Sequence, residues 1–182
     1  MITVKINGEE RQYPQGATYE DVANDYQKEY DNLIALAARD GKIRELFKKL
    51  TRDCEITFFT LKDDVGNKTY VRSATMLFLK AVFDVFGRET VQNCRVEFAI
   101  GNGSYISPKG KINATEENAA KIRNRMRELV EAKTPFLKKS YSLDNAMELF
   151  RREGMKDKEK LFRYRRGSFV NIYEMDGYYD YY

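Results

Sequence analysis

The stretch from Tyr70 to Phe86 is the most apolar part of the chain, and it constrains the fold more than any other segment. A helix through it would carry an apolar stripe made of Val71, Ala74, Phe78, Ala81, Val82 and Val85. Most of its remaining surface would be covered by Met76, Leu77, Leu79 and Phe83. Because a helix that is apolar on nearly all sides must be buried, we predict a central helix in a folded domain, ended by Gly87.

The residues before this helix predict a small α+β unit of the β-grasp kind. Asn7-Gly8 is a hairpin turn signal, and Thr18 is placed to cap a helix. The predicted elements are a hairpin over 2–6 and about 10–14, a helix over 18–30, a strand over 33–37, a short helix over 45–50 and a strand over 55–60. A unit of this size can close a hydrophobic core, although only marginally.

We predict that residues 1–62 form this first domain, that the polar segment 63–69 is a linker, and that residues 70–182 form a second α+β domain. The second domain's predicted elements after the apolar helix are strands over 94–100 and 104–107, helices over 115–134 and 142–153, and strands over 159–164 and 168–174. The last seven residues are strongly aromatic, which indicates a domain cut before its end.

The complete absence of histidine excludes much of ordinary enzyme chemistry. Histidine titrates nearest to neutral pH and is the commonest metal ligand, so Ser-His and Cys-His nucleophiles and His-based zinc sites are ruled out. Cys54 and Cys94 are too far apart for a CxxC motif, and we interpret both as reduced, partly buried residues. We therefore predict no catalytic residue, no metal site and no cofactor in this chain.

Neither export nor membrane insertion is indicated, because no basic region precedes an apolar run and no apolar stretch approaches about 20 residues. We expect a cytoplasmic protein without a membrane partner. The net charge of +4 is only a weak indication of an anionic partner.

One segment, residues 151–166, holds eight basic residues against three acidic ones. Its arginines are Arg151, Arg152, Arg163, Arg165 and Arg166. Because Phe162 and Tyr164 are interleaved with them, the segment is a candidate for contacting phosphates and stacking on nucleic-acid bases. The alternative, which we favour on sequence alone, is a solvated helix end followed by an edge strand protected by charge.

Several motifs carry a resemblance to a known family. They are ITVKINGEERQYPQGATYEDVA, CEITFFTLKD, TYVRSATMLFLKAVFDVFG, VEFAIGNGSYIS and TEENAAKIRNRMRELVEAKTPFLKKSYSLDNAMELFRREG. Together they resemble the amino-terminal region of threonyl-tRNA synthetase, in which a TGS domain precedes a second domain that hydrolyses mischarged tRNA. The resemblance covers essentially the whole chain and implies an α+β fold, with a ubiquitin-like β-grasp domain followed by an editing-domain-like domain.

The chain differs from this family at the residues that carry out editing. Arg72, Ser73 and Met76 stand where the family's HSxxH motif has its first histidine, its serine and its second histidine. Arginine and a thioether cannot replace paired imidazoles. The position of the family's later cysteine would fall near Tyr182. With both histidines replaced, the resemblance implies that the chain has the family's fold but not its editing activity. If a ligand site survives, Arg72, Ser73 and Met76 are its candidate residues; the alternative that we favour is an Arg72 that pairs with an acidic neighbour or reaches solvent.

The same pair of domains precedes a phosphate-loop kinase domain in bacterial uridine kinases of the phosphoribulokinase/uridine kinase family, and YVRSATMLFLKAV and SFVNIYEMDGYYDYY resemble that group. This resemblance implies a non-catalytic accessory region whose partner is a downstream kinase domain of the same polypeptide. The resemblance implies that this domain uses ATP or GTP with Mg²⁺ and carries the GxxxxGK[ST] loop, which these residues do not contain. The alternative function is an RNA-binding module, similar to the synthetase region, that does not hydrolyse its ligand; a small-molecule ligand is a further possible partner.

Overall fold

A computed structural model describes residues 1–101, 103–109 and 112–181. The strands are β1 (Ile2–Ile6), β2 (Glu9–Tyr13), β3 (Ile34–Arg39), β4 (Lys42–Arg44), β5 (Cys54–Thr60), β6 (Arg95–Ile100), β7 (Gly103–Ser107), β8 (Leu137–Ser142), β9 (Phe169–Met175) and β10 (Tyr178–Asp180). The helices are α1 (Tyr19–Tyr26), α2 (Asp64–Phe86), α3 (Arg88–Asn93), α4 (Glu116–Glu131), α5 (Leu143–Arg152) and α6 (Lys156–Arg163). This mixture of helices and largely antiparallel sheets confirms the predicted α+β class. The chain divides into two compact units, Met1–Ser73 and Ala74–Tyr182.

The first unit is built on a five-stranded sheet in the order β2-β1-β5-β3-β4. The β1–β5 pair is parallel, and the other pairs are antiparallel. Ile2, Val4 and Ile6 of the predicted hairpin point into the core, and they share it with Val22 and Tyr26 of α1. One helix packed on a mixed sheet is the β-grasp arrangement that the sequence indicated.

The loop between β4 and β5 was predicted to hold a short helix over 45–50, and that prediction is wrong. Its backbone bonds instead to the start of α1: Leu50 N donates to Ala17 O at 2.7 Å, and Tyr19 N donates to Lys48 O at 3.0 Å. These bonds to a distant segment take the place of the local i to i+4 bonds that a helix needs. The helix predicted over 18–30 is α1 followed by a 3₁₀ turn at Gln27–Glu29.

Helix α2 begins at Asp64, so the segment predicted as a linker, 63–69, is largely helical. Asp63 directly precedes it, and its carboxylate accepts hydrogen bonds from Thr60 N at 2.7 Å and Thr60 Oγ1 at 2.9 Å, which lower the pKa of Asp63. The prediction of an apolar helix buried throughout is only partly right. Val71 is exposed, and the first buried apolar side chain of the helix is that of Met76.

The second unit contains a three-stranded antiparallel sheet in the order β10-β9-β8 and a separate β6–β7 hairpin. It has two buried clusters of apolar side chains. The Met76 core consists of Met76, Leu79, Ala81, Val82, Val91, Ile122, Leu129, Met175 and Tyr178. The Phe150 core consists of Ala146, Leu149, Phe150, Phe162, Val170 and Ile172, and it joins α5 and α6 to the sheet.

Residues 159–164 were predicted as a strand, but they belong mainly to helix α6. The helix places Phe162 in the Phe150 core, with the Phe150 and Phe162 ring centroids 5.5 Å apart. Strand β8 was missed because its sequence, LKKSYS, has no continuous apolar alternation. It is held by antiparallel pairing with β9 from Leu137 to Ser142. No helix within the described residues has both the length and the apolar character needed to cross a membrane.

Candidate functional site

The three residues at the synthetase motif positions follow one another along α2, and the structure gives them different environments. Arg72 is exposed to solvent. Ser73 Oγ donates to Thr69 O at 3.0 Å, so its hydroxyl is bonded within the helix. Met76 is only 2% exposed and belongs to the Met76 core together with Met175 and Tyr178. The second histidine position has therefore become part of the hydrophobic interior and offers no surface to a ligand.

The polar groups near the end of the chain form hydrogen bonds and an ion pair with one another. Tyr178 Oη donates to Asp180 Oδ2 at 2.9 Å, Tyr181 N donates to Asp180 Oδ1 at 2.6 Å, and the Lys158 ammonium contacts the same carboxylate. Burial raises the pKa of Tyr178 above its usual range. Burial lowers the pKa of Lys158 to about 8, whereas the adjoining Asp180 carboxylate favours the charged ammonium. This buried, mutually paired cluster ties β10 to α6.

Neither cysteine has the surroundings of a reactive thiol. Cys54 and Cys94 are free and half-buried, and burial raises the pKa of each thiol. A raised pKa keeps a thiol protonated, whereas nucleophiles and metal ligands are thiolates. Within residues 1–101, 103–109 and 112–181, no cluster of three or more cysteines and carboxylates could hold a metal ion.

The second unit has a cavity of about 280 Å³ between α2, the β7 strand and the start of α4. Its walls are mainly apolar and include Phe78, Cys94, Ile106 and Ile122. Glu116, the charged residue of this wall, pairs with Arg123 at 3.4 Å. A cavity with this lining attracts no anion. The described residues that line it do not include Arg72, Ser73 or Met76.

Three of the five arginines predicted to contact nucleic acid pair with two carboxylates, Glu153 and Glu159. Glu159 Oε1 accepts hydrogen bonds from Arg163 Nη2 at 3.0 Å and Arg151 Nη2 at 3.1 Å, and these bonds lower the pKa of Glu159. Arg152 Nε lies 3.4 Å from Glu153 Oε1. Arg151, Arg152 and Arg163 therefore add less positive potential than their number suggests.

The other two arginines lie in the exposed turn between α6 and β9, which we call the basic turn (residues 164–169). No carboxylate among the described residues pairs with Arg165 or Arg166. The Arg165 guanidinium lies 5.1 Å from the centre of the Tyr181 ring, a cation–π contact that positions it. Tyr164 is 87% exposed and Phe169 is 66% exposed. The basic turn thus presents two cations and two aromatic rings to solvent.

Sequence reasoning placed Tyr164, Arg165 and Arg166 of the basic turn in the candidate segment 151–166 but missed Phe169. The signal for Phe169 was the alternation of β9, because Val170 and Ile172 point into the core and their neighbours must point away from it. The pairing of Arg151 and Arg163 with Glu159 was not foreseeable, since it requires the segment to be helical.

Comparison with curated proteins finds threonine–tRNA ligases. The chain is 28% identical to that of Thermotoga petrophila over 183 residues, covering 94% of this chain and 28% of the ligase. The ligase of Maricaulis maris is also 28% identical, with the same coverage. The ligase of Rhizobium etli is 27% identical over 175 residues, covering 96% of this chain and 26% of the ligase. No model of a protein family matches the chain.

This chain is therefore similar, along nearly its whole length, to the amino-terminal region of threonine–tRNA ligases, and it spans little more than a quarter of the length of these relatives. The similarity supports the TGS-like and editing-domain-like resemblance that the motifs indicated. It gives no support to a uridine kinase parent.

Proposed function

We propose that this chain is an RNA-binding module, derived from a tRNA ligase, which holds a tRNA-like RNA without hydrolysing an ester bond on it. The basic turn carries the proposal, because it places two carboxylate-free arginines beside two exposed aromatic rings. Arginine binds phosphate oxygens in a forked geometry, and aromatic rings stack on bases. The similarity to proteins named as tRNA ligases makes tRNA-like RNA the first partner to test.

The distribution of charge supports the same surface. Residues 74–182 contain 20 lysines and arginines against 15 acidic residues, whereas residues 1–73 contain 12 against 13. The excess of positive charge is confined to the unit that carries the basic turn. Since attraction to the phosphate backbone supplies most of non-specific nucleic-acid affinity, RNA is expected to bind to this unit first.

The groups that the resembling family uses for hydrolysis are missing or engaged among the described residues. The chain has no histidine, and Met76 is buried at the second histidine position of the resembling motif. Asp180 is engaged with Tyr178 and Lys158, and burial raises the pKa of both thiols. General acid–base catalysis requires a positioned proton carrier with a suitable pKa. We therefore infer binding without hydrolysis.

The accessory role beside a nucleoside kinase domain is the weaker reading. The relatives found are ligases, and they favour the RNA-binding alternative. RNA binding by this chain requires neither a downstream kinase domain nor that domain's nucleoside triphosphate and Mg²⁺. Finding GxxxxGK[ST] in the coding sequence beyond residue 182 would add that role without removing the RNA surface.

Binding of deacylated tRNA to the chain is expected to fall steeply as salt is raised. Arg165→Gln combined with Arg166→Gln should weaken binding about tenfold, because two phosphate contacts are lost. The slope of log affinity against log salt should become shallower by roughly 1.5, since each lost phosphate contact contributes about 0.7–0.9. Filter-binding titrations at several salt concentrations measure both quantities.

The matched control is Lys42→Gln with Lys49→Gln, which removes the same charge from exposed positions of the first unit. We expect its affinity to stay within about twofold of the unmodified chain. Equal losses in the two double variants would show general electrostatic attraction rather than a site. Absence of salt-dependent binding by the unmodified chain would overturn the proposal.

A further inference from the structure

The five-stranded sheet of the first unit ends in two edge strands, β2 and β4, that differ in charge. β2 begins with two glutamates, whereas β4 places Lys42 and Arg44 on either side of Ile43. Residues 39–52, which include β4, contain six basic residues against two acidic ones, and the rest of this unit contains six against eleven. The positive charge of the unit is therefore concentrated at the β4 edge.

The backbone of Ile43 points away from the sheet. A two-residue turn with positive φ angles of 49° and 75° joins β3 to β4, so the flanking pair, Arg39 and Lys42, exchanges both backbone hydrogen bonds. Such pairs alternate along an antiparallel ladder, and the N–H and C=O of the next residue, Ile43, are therefore directed outward. Ile43 O accepts a hydrogen bond from Arg44 Nη1 at 3.1 Å. In the described part of the chain β4 pairs with β3 alone, so its outer edge is open to a further strand.

The side chains at this edge are of two kinds. The Ile43 side chain is 50% exposed and lies on the same face of the sheet as Ala38, its partner in β3. Lys42 and Arg44 alternate with it and lie on the opposite face. Neither cation forms an ion pair with a carboxylate among the described residues. An added strand would therefore meet an apolar residue on one face and two cations on the other.

An acidic peptide fits this edge better than a nucleic acid or a second copy of the chain. A nucleic acid could contact the cations, but its sugar–phosphate backbone has no amide to pair with Ile43. In a second copy the acidic strand would be β2, whose outward-facing residue is Glu10. Placing Glu10 beside Ile43 would bring Arg11 next to Lys42 in an antiparallel pair and next to Arg44 in a parallel pair. Like charges directly opposite each other are destabilising.

We propose that the β4 edge binds an extended acidic peptide, which joins the sheet as a sixth strand. The peptide backbone donates to Ile43 O in place of the Arg44 guanidinium and accepts from Ile43 N. Acidic side chains alternate with apolar ones along the peptide, so that the acidic ones meet Lys42 and Arg44 while the apolar ones pack on Ile43. These residues belong to the first unit and those of the basic turn to the second, so neither proposal depends on the other.

The probe is a fluorescein-labelled peptide of nine residues in which glutamate and valine alternate, and its binding to the whole chain is followed by fluorescence anisotropy. We expect saturable binding that weakens as salt is raised, because exposed charges are screened. N-methylation of the two central residues removes the amide that donates to Ile43 O while keeping every charge. It should weaken binding about fivefold or more. Replacing each glutamate with lysine should abolish binding.

Ile43→Pro tests the same pairing from the side of the protein. It removes an N–H that β3 does not use, and proline is tolerated at such edge positions, so the ladder should stay intact. We expect the affinity to fall about fivefold or more. Glu10→Pro is the matched control, because Glu10 occupies the corresponding outward position of β2, next to its own two-residue turn. It should keep the affinity within about twofold.

Binding that neither N-methylation nor Ile43→Pro weakens would be attraction between charges alone and would overturn the inference, as would equal losses in the two proline variants. If Ile43→Pro does not fold, the N-methylated peptide still decides. Self-association of the chain that Ile43→Pro and Glu10→Pro both abolish would assign the edge to a second copy instead. Deacylated tRNA that displaces the peptide equally from the unmodified chain and from Arg165→Gln with Arg166→Gln would assign it to nucleic acid.

Discussion

Replacing Lys80 with methionine is expected to lower the free energy of unfolding by about 3 kcal/mol, because a buried ion pair loses one partner. Lys80 lies on α2 and is only 2% exposed. Its ammonium is 2.8 Å from Asp84 Oδ1, 2.6 Å from Asp176 O and 3.2 Å from Asp176 Oδ2. These contacts fasten the turn between β9 and β10 to the helix.

The expected loss is near the low end for a broken buried pair. Asp84 keeps a second cation, since Arg125 Nε lies 2.8 Å from its other oxygen, and the Asp176 side chain is largely exposed to water. The Asp176 carbonyl also loses the part-buried hydrogen bond from the ammonium, and an acceptor left unpaired away from water costs about 1–3 kcal/mol. Equilibrium urea denaturation measures the change.

Lys139→Met is the matched control for Lys80→Met. Lys139 also pairs with a carboxylate at 2.8 Å, that of Glu174, but its side chain is 54% exposed. An exposed pair contributes less than about 1 kcal/mol. A loss in Lys80→Met no larger than that of Lys139→Met would contradict the structural role given to Lys80.

Replacing Gly66 with alanine is expected to destabilise the chain by about 1–3 kcal/mol, the usual range for overpacking. A Cβ atom at Gly66 would lie 2.0 Å from Thr60 O and 2.8 Å from Thr60 C. Both are backbone atoms of the segment that leads into α2, so they cannot rotate away. An ordinary glycine to alanine change inside a helix stabilises by about 1 kcal/mol, so the sign of the effect is diagnostic.

Gly103→Ala is the control for Gly66→Ala, because the nearest atom to its added Cβ, Ile100 O, is 3.7 Å away. Thermal and urea unfolding of both variants should show a loss for Gly66→Ala and little change for Gly103→Ala. A more stable Gly66→Ala variant would show that the close approach of α2 to Thr60 is wrong.

The parts of the fold that could be predicted from the sequence are those fixed by local chemistry. Asn7 and Gly8 have the positive φ angles, 51° and 89°, that their turn signal requires. Thr18, Thr115 and Ser142 all cap the helices assigned to them, with side-chain oxygens accepting from the third residue on at 3.1–3.3 Å. In each case the residues that make the bond lie within a few positions of one another.

The parts that could not be predicted depend on distant partners. The 45–50 loop is held by backbone groups of residues 17–20. Helix α6 is held by the burial of Phe162 against Phe150 and Tyr181, whose ring centres are 5.5 and 4.9 Å away. A segment of six to eight residues is too short for its apolar pattern to fix helix or strand, so tertiary packing decides its structure.

The candidate site divides in the same way. The loss of both histidines could be seen in the sequence, because it is a matter of residue type at Arg72 and Met76. The predicted buried helix already implied a buried Met76, whereas the exposure of Phe169 was missed although the alternation of β9 signals it. The basic segment 151–166 stays a predicted contact surface, and only the structure separates the arginines held by Glu159 from Arg165 and Arg166.

The most direct test of binding without hydrolysis is the retention on a filter of tRNA that carries a labelled amino acid. Label stays on the filter only if the RNA is bound and its ester bond is intact. With excess chain at low salt, we predict that the retained label decays no faster than the ester does without protein. Arg165→Gln with Arg166→Gln should lower the affinity for this tRNA about tenfold. Label that is retained at first and then released faster than in the protein-free sample would show hydrolysis, and label that is never retained would show that the RNA is not bound; either result would contradict the account.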